Sequence, residues 1–338
     1  MSTLDRREFI AIGASAAMVL APTLAGAAAA AEAAAEPPAP PAIPVPPEWD
    51  QVPRLSLWPE GPPGKAAFDA GQVPANWPSS YRRAVAQPEL RVFRPRQPNG
   101  RAVMLVPGGA YWFVSFVNEG IDVARALNGR GVTAFVLTYR LPGERWPSRA
   151  DVPLQDAQRA MRLIRARAAD FAVNPATVAV VGFSAGGHLA ATLATGHAEQ
   201  VTAPVDAIDR EDARPHAAAL IYPVVTMRDP HTHALSRQLL LGDRPSRREI
   251  DRRSAELHVS AATPPLFLVH ALDDTAVPVE NSLRLLEAMR TAKRPVEAHL
   301  LQEGGHAFGV GRPGTPSAQW IPLLDAWLTR LETARATP

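Results

Sequence analysis

From about residue 88 onward the apolar positions follow two alternating periods. Short β-branched runs at 90–93, 102–106, 133–139, 177–182, 217–222, 266–270 and 297–301 predict strands. Longer amphipathic runs at 119–127, 154–169, 187–195 and 280–291 predict helices between them, and 321–331 predicts a terminal one. The run at 154–169 has the clearest face, with Ala157, Ala160, Met161, Ile164 and Ala168 on one side and Arg159, Arg162 and Arg165 elsewhere. Strands alternating with helical crossovers specify an α/β class with a mainly parallel central sheet flanked by helices. One connection, 227–263, is too long for a bare loop and carries helical stretches at 234–241 and 247–257, so a small lid is expected there. Residues 48–87, rich in Trp and Pro, have no clear period and are expected to wrap the sheet edge or roof the site.

Before this domain the pattern changes. Arg6-Arg7 stands just ahead of an uncharged stretch from Phe9 to Ala31, which contains Ala25-Gly26-Ala27. The arrangement resembles a twin-arginine export signal with an A-x-A cleavage site. A retained anchor is the alternative, but Ala, Gly, Ser and Thr dominate the stretch and partition weakly into lipid. Residues 37–47 hold seven prolines in eleven positions, a spacer that cannot pack as helix or sheet. The expected map is therefore an export signal over 1–36, a spacer over 37–47 and the folded domain over 48–335. The signal implies the twin-arginine export machinery as a partner and a periplasmic or secreted destination in a bacterium.

Composition narrows the chemistry. The 338 residues are 46% apolar, which excludes a disordered profile. The net charge is +2, Lys65 and Lys293 are the only lysines, and no basic stripe carries interleaved aromatics, so nucleic acid is not an expected partner. The arginine pairs at 247–248 and 252–253 read as a solvated helix face. With no cysteine, disulfides, thiolate metal sites and a Cys nucleophile are all excluded. No His/Asp/Glu spacing suggests a metal, and no cofactor is expected.

The chemistry concentrates in Gly182-Phe183-Ser184-Ala185-Gly186, which follows a predicted strand and opens a predicted helix. That context puts a serine on a strained turn where glycines two residues either side avoid a clash, and where the helix start offers N–H groups to an oxyanion. A serine hydroxyl needs a base, and the base an orienting carboxylate. Asp273 or Asp274, after the strand at 266–270, and His306, after the strand at 297–301, follow in order. Carboxyl ends of parallel strands can bring all three to one edge. Of the rival histidines, His188 is expected in helix-to-sheet packing and His270 inside a strand. His231, His233 and His258 fall in the lid. Asp156 reads as a first-turn helix acid.

Four ordered phrases carry a family resemblance: Pro107-Gly108-Gly109-Ala110-Tyr111, Gly182-Phe183-Ser184-Ala185-Gly186-Gly187-His188, Asp273-Asp274-Thr275-Ala276-Val277-Pro278-Val279-Glu280-Asn281-Ser282 and Gly304-Gly305-His306-Ala307-Phe308-Gly309. Over about 88–331 the chain resembles α/β-hydrolase esterases, and within them the bacterial acetyl-esterase and acetyl-xylan-esterase-like members of the hormone-sensitive lipase group. The resemblance implies a Ser184, His306 and Asp274 triad, the acid standing four residues before a proline. It also implies an oxyanion hole from the N–H groups of Gly109, Ala110 and Ala185, although Pro107 and Ala110 depart from the family's His-Gly-Gly-Gly loop. The implied substrate is a short acyl ester of a carbohydrate or small alcohol. Tyr111, Trp112 and Tyr222, with Phe113 and Phe116, are candidates for pocket walls or for plain core packing. A serine peptidase and an inactive binding protein on the same fold are the rival readings.

Overall fold

The computed structural model describes residues 39–336. Both the segment expected to be an export signal and the first two residues of the expected spacer lie outside them. Eight strands form one sheet: β1 (Arg54–Ser56), β2 (Glu89–Phe93), β3 (Ala102–Val106), β4 (Thr133–Thr138), β5 (Ala179–Phe183), β6 (Ala218–Ile221), β7 (Leu266–Ala271) and β8 (Val296–Leu301). They run in the order β1-β2-β4-β3-β5-β6-β7-β8. The pairs β1/β2 and β2/β4 are antiparallel and the other five parallel. Strands β3, β4 and β5 are buried at every position, as both-face coverage requires, and this is why they read as continuous apolar runs rather than alternations.

Helices α1 (Glu48–Gln51), α2 (Asp122–Asn128), α3 (Val152–Ala166), α4 (Ser184–Gly196), α5 (Ala234–Leu241), α6 (Arg247–Arg252), α7 (Glu280–Thr291) and α8 (Trp320–Ala336) complete the framework. From β3 the chain moves to β4 on one side, then returns past β3 to β5 on the other. Right-handed crossovers put α2 on one face of the sheet and α3 with α4 on the opposite one. The reversal leaves a crevice at the carboxyl ends of β3 and β5, where open α/β sheets bind ligands.

Several expectations change in detail. The helix expected from Glu119 starts as a π-helical turn, Val117–Ile121, and becomes α-helical only at Asp122. The 48–87 segment contributes the edge strand β1, too short to show a period. It is fastened by Trp58 Nε1–H donating to Asp156 Oδ1 at 2.8 Å and by Arg159 Nε–H donating to the Leu57 carbonyl at 2.8 Å. Asp156 is not a first-turn acid, because α3 already starts at Val152, but half of a fully buried pair with Arg140 at 2.8 Å. Spacer residues also dock: Ile43 N–H donates to Ser80 Oγ at 3.2 Å, Tyr81 OH donates to the Pro41 carbonyl at 3.1 Å, and Ile43 and Val45 pack on the core. An extended proline-rich chain has no ladder bonds to make, yet its apolar side chains still gain from burial.

The 227–263 segment carries α5 and α6, the latter opened by a capping box between Ser246 and Glu249. The helix expected to continue to Leu257 breaks after Arg252 and resumes as a 3₁₀ turn at Ala255–His258. The break comes where Arg253 turns inward. Only 2% exposed, it donates to the Ala150 carbonyl at 3.0 Å and pairs with Glu199 at 2.9 Å and with Asp151. The solvated-face reading is corrected for Arg253: helix periodicity could not register acceptors supplied by distant segments.

Candidate active site

Ser184 opens α4 directly after β5, with φ +49° in the left-handed region. The packing around the turn holds that strain, and glycines two positions either side let the backbone close against it. A Cβ on Gly182 would lie 2.4 Å from the Gly186 carbonyl oxygen, and one on Gly186 would lie 2.1 Å from the Val106 carbonyl oxygen. The glycine spacing therefore reflects packing between the elbow and β3 as well as the turn itself.

His306 Nε2 stands 2.9 Å from Ser184 Oγ, and its Nδ1 stands 2.6 Å from Asp274 Oδ2. The other carboxylate oxygen, Oδ1, accepts the N–H groups of Ala276 and Val277, each at 2.9 Å. His270 Nε2 lies 3.3 Å from Oδ2, while its Nδ1 meets Ser282 Oγ at 2.8 Å. Burial alone would push the Asp274 carboxyl up. Hydrogen bonds from His270 and His306, the His306 charge and the Val277 N–H outweigh it and hold the group well below the usual carboxylate range. Asp273 points elsewhere, accepting the Gly305 N–H at 2.8 Å.

In the turn after β3, the polar groups of its first half are held inside the protein. The Pro107 carbonyl accepts Tyr139 OH at 2.9 Å, Gly108 N–H donates to Glu119 Oε2 at 2.7 Å, and the Gly108 carbonyl accepts Ser115 N–H at 3.0 Å. The Gly109 carbonyl accepts Trp112 and Phe113 N–H at 2.8 and 3.1 Å. The N–H groups of Gly109 and Ala110 donate to no described residue. Free donors beside a buried serine, with Ala185 N–H at the start of α4, suit an oxygen bearing negative charge. Ser184 closely abuts this turn, since a Cβ on Gly108 would sit 2.8 Å from Ser184 Cβ.

Other expected residues lie behind the site rather than on its wall. Tyr111 is 1% exposed, its OH 2.7 Å from His188 Nδ1. Tyr222 is fully buried, donates to Glu119 Oε1 at 3.0 Å, and sets its ring edge-on to His306 with centroids 4.9 Å apart. Their hydroxyls are used inside the protein, so neither forms an open acyl pocket. Trp112 is also buried, T-stacked on Trp77 at 5.0 Å, while Phe113 and Trp77 are part-exposed. Of the lid histidines, His233 caps α5 and sits near enough to the triad that, after burial, the His306 charge is the main influence lowering its pKa. Glu119, read from sequence as an ordinary helix start, is 3% exposed and accepts Gly108 N–H from the turn after β3. An acid flanked by Val117, Gly120 and Ile121 was the only available signal. Among the described residues no His/Asp/Glu group is arranged to hold a metal ion.

His188 is set apart from the triad. Its Nε2–H donates to the Arg253 carbonyl at 2.6 Å and its Nδ1 accepts Tyr111 OH, which fixes a neutral tautomer. Burial first, then the Arg253 charge, pushes it down to about 4. Because the folded value lies below that of the unfolded chain, its contribution is full above about pH 6.5 and is lost as pH falls toward 4. The loss is on the order of 3 kcal/mol. Thermal unfolding followed from pH 7 to pH 4 is expected to show a falling Tm, with a shallower fall in His188→Gln; identical slopes would refute this origin.

Comparisons with known proteins agree with this framework. The BD-FAE family model matches residues 90–289, a span that includes Ser184 and Asp274 and ends before His306. An acetylxylan esterase from Xylanibacter ruminicola is 34% identical over 245 residues, covering 71% of this chain and 48% of that protein. The chain thus spans about half the length of that relative. In structure it is similar to an acetyl ester-xyloside bifunctional hydrolase from Caldicellulosiruptor lactoaceticus, with TM-score 0.71, 31% identity, and coverage of 83% of this chain and 97% of that one. It is also similar to a butyrate-bound thermophilic esterase from Thermogutta terrifontis, with TM-score 0.60, 27% identity and coverage of 72% and 89%. With its mainly parallel sheet and its serine elbow between strand and helix, the chain belongs to the BD-FAE family of α/β-hydrolases.

Proposed function

We propose that the protein is a serine esterase that removes short acyl groups, acetyl foremost, from esters of carbohydrates or small alcohols. The observation that carries the proposal is His306 bridging Ser184 Oγ and the Asp274 carboxylate beside two uncommitted backbone donors. In this reading His306 Nε2 takes the Ser184 proton as Oγ attacks the ester carbonyl carbon. The oxyanion forms against the Gly109, Ala110 and Ala185 N–H groups. Collapse breaks the bond to the alcohol, which leaves with the proton from His306. Water, deprotonated by the same imidazole, then attacks the acyl-enzyme and releases the acid. Asp274 holds the imidazole with its Nδ1–H inward and balances its transient positive charge.

The names of the similar proteins support the acetyl and carbohydrate side of the reading. So does the part-exposed ring of Phe113 against Gly109 of the turn after β3, an apolar face that a sugar ring can meet. Initial rates of the full chain on p-nitrophenyl acetate, butyrate and octanoate, on acetylated xylan and on a peptide anilide test it. Acetate is expected to exceed octanoate by about tenfold or more in kcat/KM, with acetate released from xylan and the anilide untouched. Preferential anilide cleavage, or no ester cleavage, would reject it.

A further inference from the structure

Glu119 is a buried acid with no step in that mechanism. Burial pushes its pKa up, while Gly108 N–H, the His306 charge and Tyr222 OH favour the carboxylate. A costly buried acid satisfied by two donors invites the question of what those donors hold. One is the N–H of the Pro107–Gly108 peptide, whose carbonyl is held from the other end by Tyr139 OH. Pinning both ends fixes the plane of the peptide that leads directly into the Gly109 and Ala110 donors. The second donor, Tyr222 OH, itself accepts Gly309 N–H at 3.1 Å, three residues past His306. Next to Glu119, Asn118 donates from Nδ2 to the Ala307 carbonyl at 3.1 Å. Two consecutive residues on the π-helical turn Val117–Ile121 therefore grip the oxyanion turn and the histidine loop together.

We propose that Glu119 is the positioning residue of the oxyanion hole: it sets the peptide plane that aims Gly109 and Ala110 N–H and, through Tyr222, keeps the His306 loop in register with them. The proposal rests on the esterase reading. Glu119 touches no reacting atom, so its effect belongs to the transition state rather than to substrate binding.

Glu119→Ala, Glu119→Gln and Tyr222→Phe, each in the full chain and each checked by thermal unfolding, provide the test. In Glu119→Ala, kcat on p-nitrophenyl acetate is expected to fall about 10²-fold, the size of losing one oxyanion donor. KM should move by less than about threefold. Affinity for a trifluoromethyl ketone, whose adduct places an oxyanion in the hole, should fall in proportion to kcat. Glu119→Gln should recover at least about tenfold of the loss, because its amide oxygen can still accept Gly108 N–H. Tyr222→Phe keeps the ring against His306 and should lose kcat at constant KM. A purely structural role would lower the active fraction and leave ketone affinity per active site unchanged. That result in Glu119→Ala, or wild-type kcat and ketone affinity in it, overturns the proposal; should Glu119→Ala not fold, the same results in Tyr222→Phe overturn it. A wild-type protein without esterase activity would reject the esterase reading and this proposal together, whereas an active wild type with unaffected variants rejects this proposal alone.

Discussion

Alanine in place of Ser184, or of His306, is expected to lower kcat on an acetyl ester by about 10⁶-fold with KM nearly unchanged. Ser184 supplies the only hydroxyl bonded to His306, and His306 Nε2 is the only imidazole nitrogen bonded to Ser184 among the described residues. Removing either stops nucleophile activation, while the backbone donors of the oxyanion hole remain. Residual catalysis over water should therefore persist at a low level. The fold should tolerate Ser184→Ala, because the left-handed φ of +49° strains alanine no more than serine. Steady-state kinetics with a far-UV spectrum of each variant checks this, and a loss of less than about tenfold would exclude these residues as nucleophile and base.

The serine elbow was legible in the sequence because its requirements are local: a strand, a glycine-flanked turn and a helix start occupy one contiguous run. The central strands were legible for a similar reason, since burial on both faces writes an uninterrupted apolar run. What could not be read depends on contacts between distant segments. Arg253 looks solvated and Asp156 looks like a first-turn helix acid, and only Glu199, Asp151 and Arg140 from elsewhere in the chain show why they are buried. Glu119 is hidden in the same way, its role set by Gly108 and Tyr222. Tyr111 and Tyr222 were placed near the site by their position at strand ends, but the direction of each side chain is decided by His188 and Glu119.

Neighbouring acids give the second large effect. Asp274→Asn is expected to lower kcat by about 10⁴-fold, and Asp273→Asn to change it by no more than a few-fold. In Asp274→Asn the new side-chain amide would present N–H to His306 Nδ1, forcing that nitrogen to accept and moving the ring proton to Nε2, where it can no longer take the serine proton. At position 273 the side chain accepts the Gly305 N–H, and an asparagine oxygen does the same. Because the native Asp274 pKa is depressed, its carboxylate persists through the whole working range. Equal losses in the two variants would contradict the assignment of the triad acid.

The esterase reading turns on Ser184 carrying the acyl group. The most direct measurement is covalent: full-length protein treated with a fluorophosphonate, digested, and mapped by mass spectrometry, in parallel with Ser184→Ala. One adduct is expected, on Ser184 in the peptide containing Gly182-Phe183-Ser184-Ala185-Gly186, with loss of hydrolysis in step with labelling and none in Ser184→Ala. An adduct on another residue, or ester hydrolysis that survives complete labelling of Ser184, would contradict the account.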